Sequence, residues 1–443
     1  MNPGRRSALR HMLYELRGGF LLLPGAIMFI VSAAGFMLIL AEERVPWLAE
    51  RAIHWRWTIA RDATVAQYVL STIAASIMTV LSVVYSVLLL VLTFASIQFS
   101  PRIIVAFMKD RVSQVTLGAF LGTFVVCLLT MASIRTGPPP LVPTLAVTFA
   151  MALAAAALLC LLYFVHNMAL SIQPNSIVQR IALETEVVID TLFDPDPDPD
   201  PAHPAGDSAL AEGDGSTLSC FSSGYIQYLD LRVLAAAAEA HDVCFRMTRA
   251  IGQFVPKGGA VALVHPASRA SAACQRAALR AFHVAAVRTM ESDVEFGVLQ
   301  IVDIALKAVS PAVNDPTTAI ACVDYLSHIL TMAATKRPPA TRVYDEVGVL
   351  RIVLKRTSFP RLLDMAFDQL AHYAKTDMAV CLRMLRALRD VADVARDPTH
   401  LQAIHVRAKG VYDLCSKNFS LEERAELSER MAQIDRRTSR PEG

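Results

Sequence analysis

The sequence predicts an α-helical membrane domain of four transmembrane helices followed by a cytosolic α/β domain, which contains a small β-rich module and ends in a helical C-terminal part. Three observations lead there. Nearly all the charge-free stretches lie before Ser171, whereas the rest of the chain is charged and mixed. A segment alternating Asp and Pro, from Asp194 to Pro201, marks a linker. After it, short alternating runs framed by glycine give way to amphipathic helical spacing. The expected divisions are residues 1–170 for the membrane domain, 171–193 for an amphipathic connector helix and 194–216 for a disordered acidic linker. Residues 217–355 form the α/β domain and 356–443 the helical C-terminal region.

A bilayer core about 30 Å thick is crossed by roughly 20 apolar residues in a helix. Residues 18–40, 66–96, 112–134 and 141–166 qualify. The basic N-terminus before the first of them (Arg5, Arg6, Arg10, Arg17) resembles a signal peptide only superficially. The apolar run is too long for a signal core and lacks a small-x-small cleavage site, so it reads as a retained anchor. Pro24 and Pro143 are tolerable, the latter in a first turn. The Lys and Arg flanking the spans orient them. Arg5, Arg6, Arg10, Arg17, Arg102, Lys109, Arg111 and Arg180 stand against Arg44, Arg51, Arg56, Arg61 and Arg135, which predicts both termini in the cytoplasm. Trp47, Trp55 and Trp57 all fall in the first outer loop, where indoles at headgroup depth suit a short interfacial helix.

The second span is the most informative. No charged residue occurs between Asp62 and Arg102. Within it Thr72, Thr79, Ser86 and Thr93 recur every seven positions, with Ser76, Ser82 and Ser96 near the same line. Two readings fit. Such hydroxyls allow close helix packing and bond back to their own backbone. Alternatively, they form a weakly polar pore wall when several subunits bring this span to a common axis, for which a period of 3.5 is suited. The second reading makes Thr72, Ser76, Thr79, Ser86 and Thr93 pore-facing and requires a homo-oligomer. No Asp, Glu, Lys or Arg lies deep in any expected span, which argues against an ion-coupled transporter. Pro101 breaks the helix after residue 98, and Ile103, Ile104 and Phe107 give the following segment an apolar side.

Pro174 stops the fourth span, which ends beside a lone interfacial His166. A helix over 176–193 follows, with Ile177, Ile181, Val188 and Leu192 on one side. The Asp-Pro segment then excludes both helix and sheet ladders. Residues 224–229 read as a strand, Asp230 as the cap of a short helix, and Val243, Phe245 and Met247 as a strand. Residues 260–264 and 283–287 are further strands around a helix over 270–282, and the β-rich module is barrel-like. Gly258-Gly259 is not a phosphate loop, since no GxxxxGK[ST] is present and no helix starts directly after it.

Residues 288–319 hold the densest polar pattern. Ser292-x-x-Glu295 reads as a capping box. Asp293, Gln300, Asp303 and Lys307 share one helix stripe, with Asp303 and Lys307 spaced for an ion pair. Asp315 caps the next helix, with Pro316 at its first position. Carboxylates such as Asp293, Asp303 and Asp315 can hold a cation or act in acid–base chemistry. Capping and ion pairing nevertheless account for most of them, so no catalytic or metal residue and no cofactor is assigned. A strand over 347–354 precedes helices over 360–373, 377–396, 398–417 and 420–436. Leu382, Leu385, Leu388 and Val391 have core spacing, and Ser420 with Glu423 forms a capping box.

The run Arg288-Thr289, Asp293-Val294-Glu295-Phe296-Gly297, Gln300-Ile301-Val302-Asp303-Ile304-Ala305, Ser310-Pro311 and Asn314-Asp315-Pro316-Thr317-Thr318-Ala319 resembles the signature of a bacterial family of predicted integral membrane proteins, domain of unknown function 2254. Phe99-Ser100-Pro101-Arg102, Asp110-Arg111, Leu117-Gly118, Gly122-Thr123-Phe124 and Gly252-Gln253-Phe254-Val255 with Gly258 are similar to it too. The resemblance covers most of residues 10–420. It implies a multi-span bacterial inner-membrane protein and supplies no activity. Arg288, Asp293, Gln300, Asp303, Asn314 and Asp315 form the polar part of that signature.

A net charge of +2 is too balanced to argue for nucleic acid. The eight cysteines include no CxxC pair and no zinc spacing, and read as free thiols. The expected function is an oligomeric passive channel, or a channel-like membrane sensor with a cytosolic regulatory domain. Its partners are the lipid bilayer and other copies of the chain, and the soluble domain's ligand is left open. The alternative is a membrane-anchored scaffold or assembly factor, in which Thr79 and Ser86 face neighbouring spans of one subunit. A membrane-bound enzyme ranks third, because no GxSxG, HExxH or Walker motif occurs.

Overall fold

A computed structural model of the chain describes residues 21–44, 62–98, 110–135, 142–171, 173–193, 215–290 and 292–438. The chain divides into two compact units, residues 1–173 and 174–443. The expected interfacial helix, the break at Pro101 with the segment after it, and the Asp-Pro run lie outside the described residues.

The first unit contains four helices, each long and apolar enough to cross a membrane: α1 (Leu22–Arg44), α2 (Ala63–Gln98), α3 (Arg111–Ser133) and α4 (Thr144–Ser171). The 36 residues of α2 reach about 54 Å at 1.5 Å per residue, well beyond a bilayer core. α3 is central and packs on the other three. Gly118 and Gly122 sit one turn apart on α3, where a Cβ would meet Ile27 at 2.8 Å and Val31 at 3.0 Å on α1. Lipid tails are as apolar as Leu, so close packing of small residues is what holds such helices together. Ala66, Leu70 and Ala74 of α2 pack with Val126 and Cys127 of α3 and with Val147 and Ala150 of α4. At the start of α3, Asp110 caps Ser113 N at 2.9 Å and also accepts from Asn167 near the end of α4.

The second unit joins two sheets to a helical bundle. A five-stranded sheet has the order β1 (Ser216–Ser219), β5 (Ala260–His265), β3 (Cys244–Met247), β8 (Leu350–Val353), β7 (Arg342–Tyr344). Its pairs are antiparallel except β3 with β8, where Phe245 lies opposite Ile352. The second sheet has the order β4 (Phe254–Val255), β2 (Gly224–Leu229), β6 (Phe282–Ala285). The module is therefore two open sheets and not a barrel, with Leu218, Phe245, Val264 and Ile352 in its core. α6 (Leu231–His241) and α7 (Ala272–Leu279) pack on each other, and Leu234 and Cys274 reach the same core. α7 is shorter than expected, because the chain re-enters the sheet at Phe282.

α5 (Pro174–Leu192) is amphipathic, with Ile177, Ile181 and Val188 buried. It packs inside this unit on α8 (Val294–Ala308) and α9 (Pro316–Thr335). Gly297 of α8 permits the crossing, since a Cβ there would lie 2.0 Å from Thr185 Oγ1. α10 (Phe359–Ala374), α11 (Met378–Val394), α12 (Pro398–Cys415) and α13 (Leu421–Thr438) complete the bundle. The buried stripe of α11 runs through Cys381, Met384, Leu385, Leu388 and Val391, and Leu382 stands at its half-buried margin. The Ser420–Glu423 capping box forms at the start of α13, with Ser420 N 2.9 Å from Glu423 Oε2. All eight cysteines are free.

Candidate functional site

Two places gather the residues that the sequence singles out. The first is the outer side of α2. Ala66, Leu70, Ala74, Ile77, Leu81, Val84 and Val91 are buried, at the three- and four-residue steps of one helix face. Thr72, Ser76, Thr79, Ser86 and Thr93 are all exposed. Four of these hydroxyls donate to the carbonyl four residues back, Thr72 to Tyr68 and Thr93 to Leu89 at 2.8 Å, with Thr79 and Ser86 alike. Such bonds satisfy the hydroxyl without a neighbour. Ser82 is exposed as well, and the side chain of Ser96 is outside those described.

The same unit holds a buried carboxylate that sequence reading missed. α1 continues to Arg44, past the end expected at residue 40, and carries Glu42 into the protein interior. Its carboxylate accepts from Leu145 N at 2.8 Å, Thr144 Oγ1 at 3.1 Å and Ala146 N at 3.3 Å. A side chain of α1 thus supplies the acceptor for the orphan N–H donors at the start of α4, where the helix dipole favours negative charge. The available signal was spacing, because Gly35, Ile39 and Glu42 fall on one buried face.

The second place lies at the start of α8. Asp293 is its N-cap and accepts from Phe296 N at 3.1 Å. This corrects the expected capping box, since Ser292 does not cap the helix and Glu295 does not reach back. Glu295 instead accepts from Thr357 Oγ1 at 2.7 Å and faces Arg288 at 3.6 Å. Arg288 donates from Nη2 to Asp293 Oδ1 at 2.9 Å and from Nε to Oδ2, and lies over the Phe296 ring. Burial raises the Asp293 carboxyl above its usual value, with the Arg288 guanidinium and the Phe296 amide acting against it. Gly252 covers the pair at φ +82°, and a Cβ there would fall 1.9 Å from Asp293 Oδ2. The glycine, arginine and aspartate of three separated sequence runs therefore form one packed knot.

The rest of the polar signature is elsewhere. Asn314 and Asp315 follow the far end of α8, which at 15 residues is about 22 Å long. Asn314 adopts φ +49°, a conformation that Asn tolerates. Asp315 caps α9 through Thr318 N at 3.0 Å. Gln300 is buried and Asp303 half-buried along α8. Asp293 and Asp315 thus do not share a site, and no group of three or more His, Cys, Asp or Glu that could hold a metal occurs among the described residues.

The knot, the glycine-packed α3 and the Asp110 cap are the places where the signature residues meet. A family profile described as "Predicted membrane protein (DUF2254)" matches residues 17–390. The chain belongs to this family. Among DUF2254 relatives, the uncharacterized protein Rv1290c of Mycobacterium tuberculosis (strain H37Rv) is 31% identical over 363 residues, covering 80% of this chain and 69% of its own. The uncharacterized protein Mb1321c of Mycobacterium bovis matches to the same extent. No solved structure matches. This DUF2254 protein is a membrane protein in contact with lipid through four apolar helices.

Proposed function

We propose that the protein is an oligomeric, channel-like membrane sensor of the bacterial inner membrane, with both termini and the second unit in the cytoplasm. One observation carries this reading: the seven-residue hydroxyl series of α2 lies on the side turned away from the helices of its own chain. A repeat of seven suits left-handed packing of α2 with copies of itself around an axis. Thr72, Ser76, Thr79, Ser86 and Thr93 would then line the path, with the hydroxyls of Thr72, Thr79, Ser86 and Thr93 already bonded to their own helix and their oxygens still able to accept from water. The scaffold alternative expects Thr79 and Ser86 to face neighbouring spans within one chain, and both are exposed.

The test combines assembly with conduction. Single cysteines at Thr79 and Ser86 should cross-link between subunits in membranes, and the purified protein should conduct in planar bilayers. Charged thiol reagents should block the Ser86→Cys channel. A monomer in detergent together with silence in bilayers under all conditions overturns the reading.

A further inference from the structure

The second unit holds a cavity of about 470 Å³. That volume lies within the roughly 300–1,000 Å³ range of small-molecule sites. One part of its wall is apolar, including Phe193, Ile251, Leu354 and Leu362. Four cations, Arg232, Arg249, Lys355 and Arg356, line it against two carboxylates, Asp230 and Asp293. Both carboxylates are already engaged. Asp230 caps α6 through Arg232 N and Val233 N, and Asp293 holds Arg288 and the start of α8. The cations still outnumber the carboxylates, and Asp293 is already paired with Arg288.

Arg356 is the most telling of the four. The residue is half-buried, and among the described residues its Nε has no hydrogen-bond partner and its guanidinium no carboxylate. Burial alone pulls its pKa below the usual arginine value. Arg351, five residues earlier, shows the ordinary arrangement, with Asp242 and Asp345 each at 2.8 Å. A partly desolvated cation with no counter-charge among the described residues costs folding free energy. An arginine fork matches phosphate oxygens in pairs, and Lys355 and Arg249 add charge at the more exposed side.

We infer that this cavity binds an organic phosphate, with its phosphoryl group held by Arg356 and Arg249 and its apolar body set against Phe193, Ile251 and Leu354. The chemistry is shared by soluble phosphorylated metabolites and by phospholipid headgroups, and the probes below separate the two. The site stands independently of the proposed conduction.

Binding is measured by calorimetry on the full-length protein in phosphatidylcholine nanodiscs, with ADP, inorganic pyrophosphate and dihexanoyl-phosphatidylglycerol as probes. Saturable binding of at least one probe is expected, weakened tenfold or more by Arg356→Gln and by Arg249→Gln. It should be unchanged by Lys409→Gln on α12, outside the cavity. ADP binding without phosphatidylglycerol binding identifies a soluble ligand, and the reverse a headgroup. Arg356→Gln should melt no lower than the wild type, because a half-buried charge with no described partner is removed. Failure of all three probes to bind overturns the inference. So does undiminished affinity in the Arg356→Gln protein, or a lower melting temperature that assigns the guanidinium a purely structural role.

Discussion

Arg288 and Asp293 form a two-pronged ion pair in which the aspartate side chain is only 3% exposed and the arginine 16%. Removing one partner leaves the other charged and buried. Arg288→Ala is therefore expected to destabilise the second unit by about 3 kcal/mol, in the range for breaking such pairs. Gly252→Ala should act on the same pair from above, since its methyl would occupy the position of Asp293 Oδ2 at a φ that alanine disfavours. Urea or thermal unfolding of each variant checks both, and wild-type stability in Gly252→Ala would exclude this packing.

Glu42 links α1 to the first turn of α4. Glu42→Ala should lower the thermal stability of the detergent-solubilised protein by about 1–2 kcal/mol, as expected for a lost cap. Glu42→Gln keeps an acceptor oxygen and loses the charge that complements the helix dipole, so it should fall between the two. Melting followed by intrinsic fluorescence measures the order.

Among the described residues, the hydroxyls of Thr79 and Ser86 bond only to their own helix. Thr79→Val and Ser86→Ala should each change the stability of the isolated chain by less than about 0.5 kcal/mol, as for surface positions. If they also leave subunit association unchanged in membrane cross-linking, the stripe has no part in assembly.

His400 stacks on Phe359 with ring centroids 4.2 Å apart and is buried, and burial depresses its pKa despite Asp397 nearby. The folded state therefore holds the neutral ring, and the unfolded chain binds the proton more readily. Stability is complete above the unfolded pKa of about 6.5 and declines as pH falls below it toward the lower folded value. Thermal melts from pH 8 to pH 5 should show this decline in the wild type and less of it in His400→Phe.

Periodicity made the membrane helices legible, because an apolar stretch long enough to cross a bilayer has few other interpretations. The strand at 244–247 was legible from the alternation of Val243, Phe245 and Met247, that at 260–265 from an apolar run after a glycine pair, and the caps at Asp230 and Asp315 from partners within three residues. Long-range relationships were not. Glu42 meets Leu145 across 103 positions, and Glu295 meets Thr357 across 62. Nothing local marks either pairing, and local reasoning gave Glu295 the wrong partner. β1 and β7 are short edge strands of 4 and 3 residues with no alternation to read. Arg356 has no local signature, since nothing in the adjoining sequence marks it as part of a cavity wall.

The fourth span ends at Ser171, and α5 begins at Pro174. α5 is wedged into the second unit's bundle, with Thr185 against Gly297. The flexible-looking Asp-Pro segment comes only afterwards, between the first helix and the first strand of that unit. The helix that follows the fourth span in the sequence is thus part of the second unit's own core, where Ile177, Ile181 and Val188 are buried. A fragment that begins after the Asp-Pro run would lack α5, and its α8 and α9 would expose the apolar faces that this helix covers.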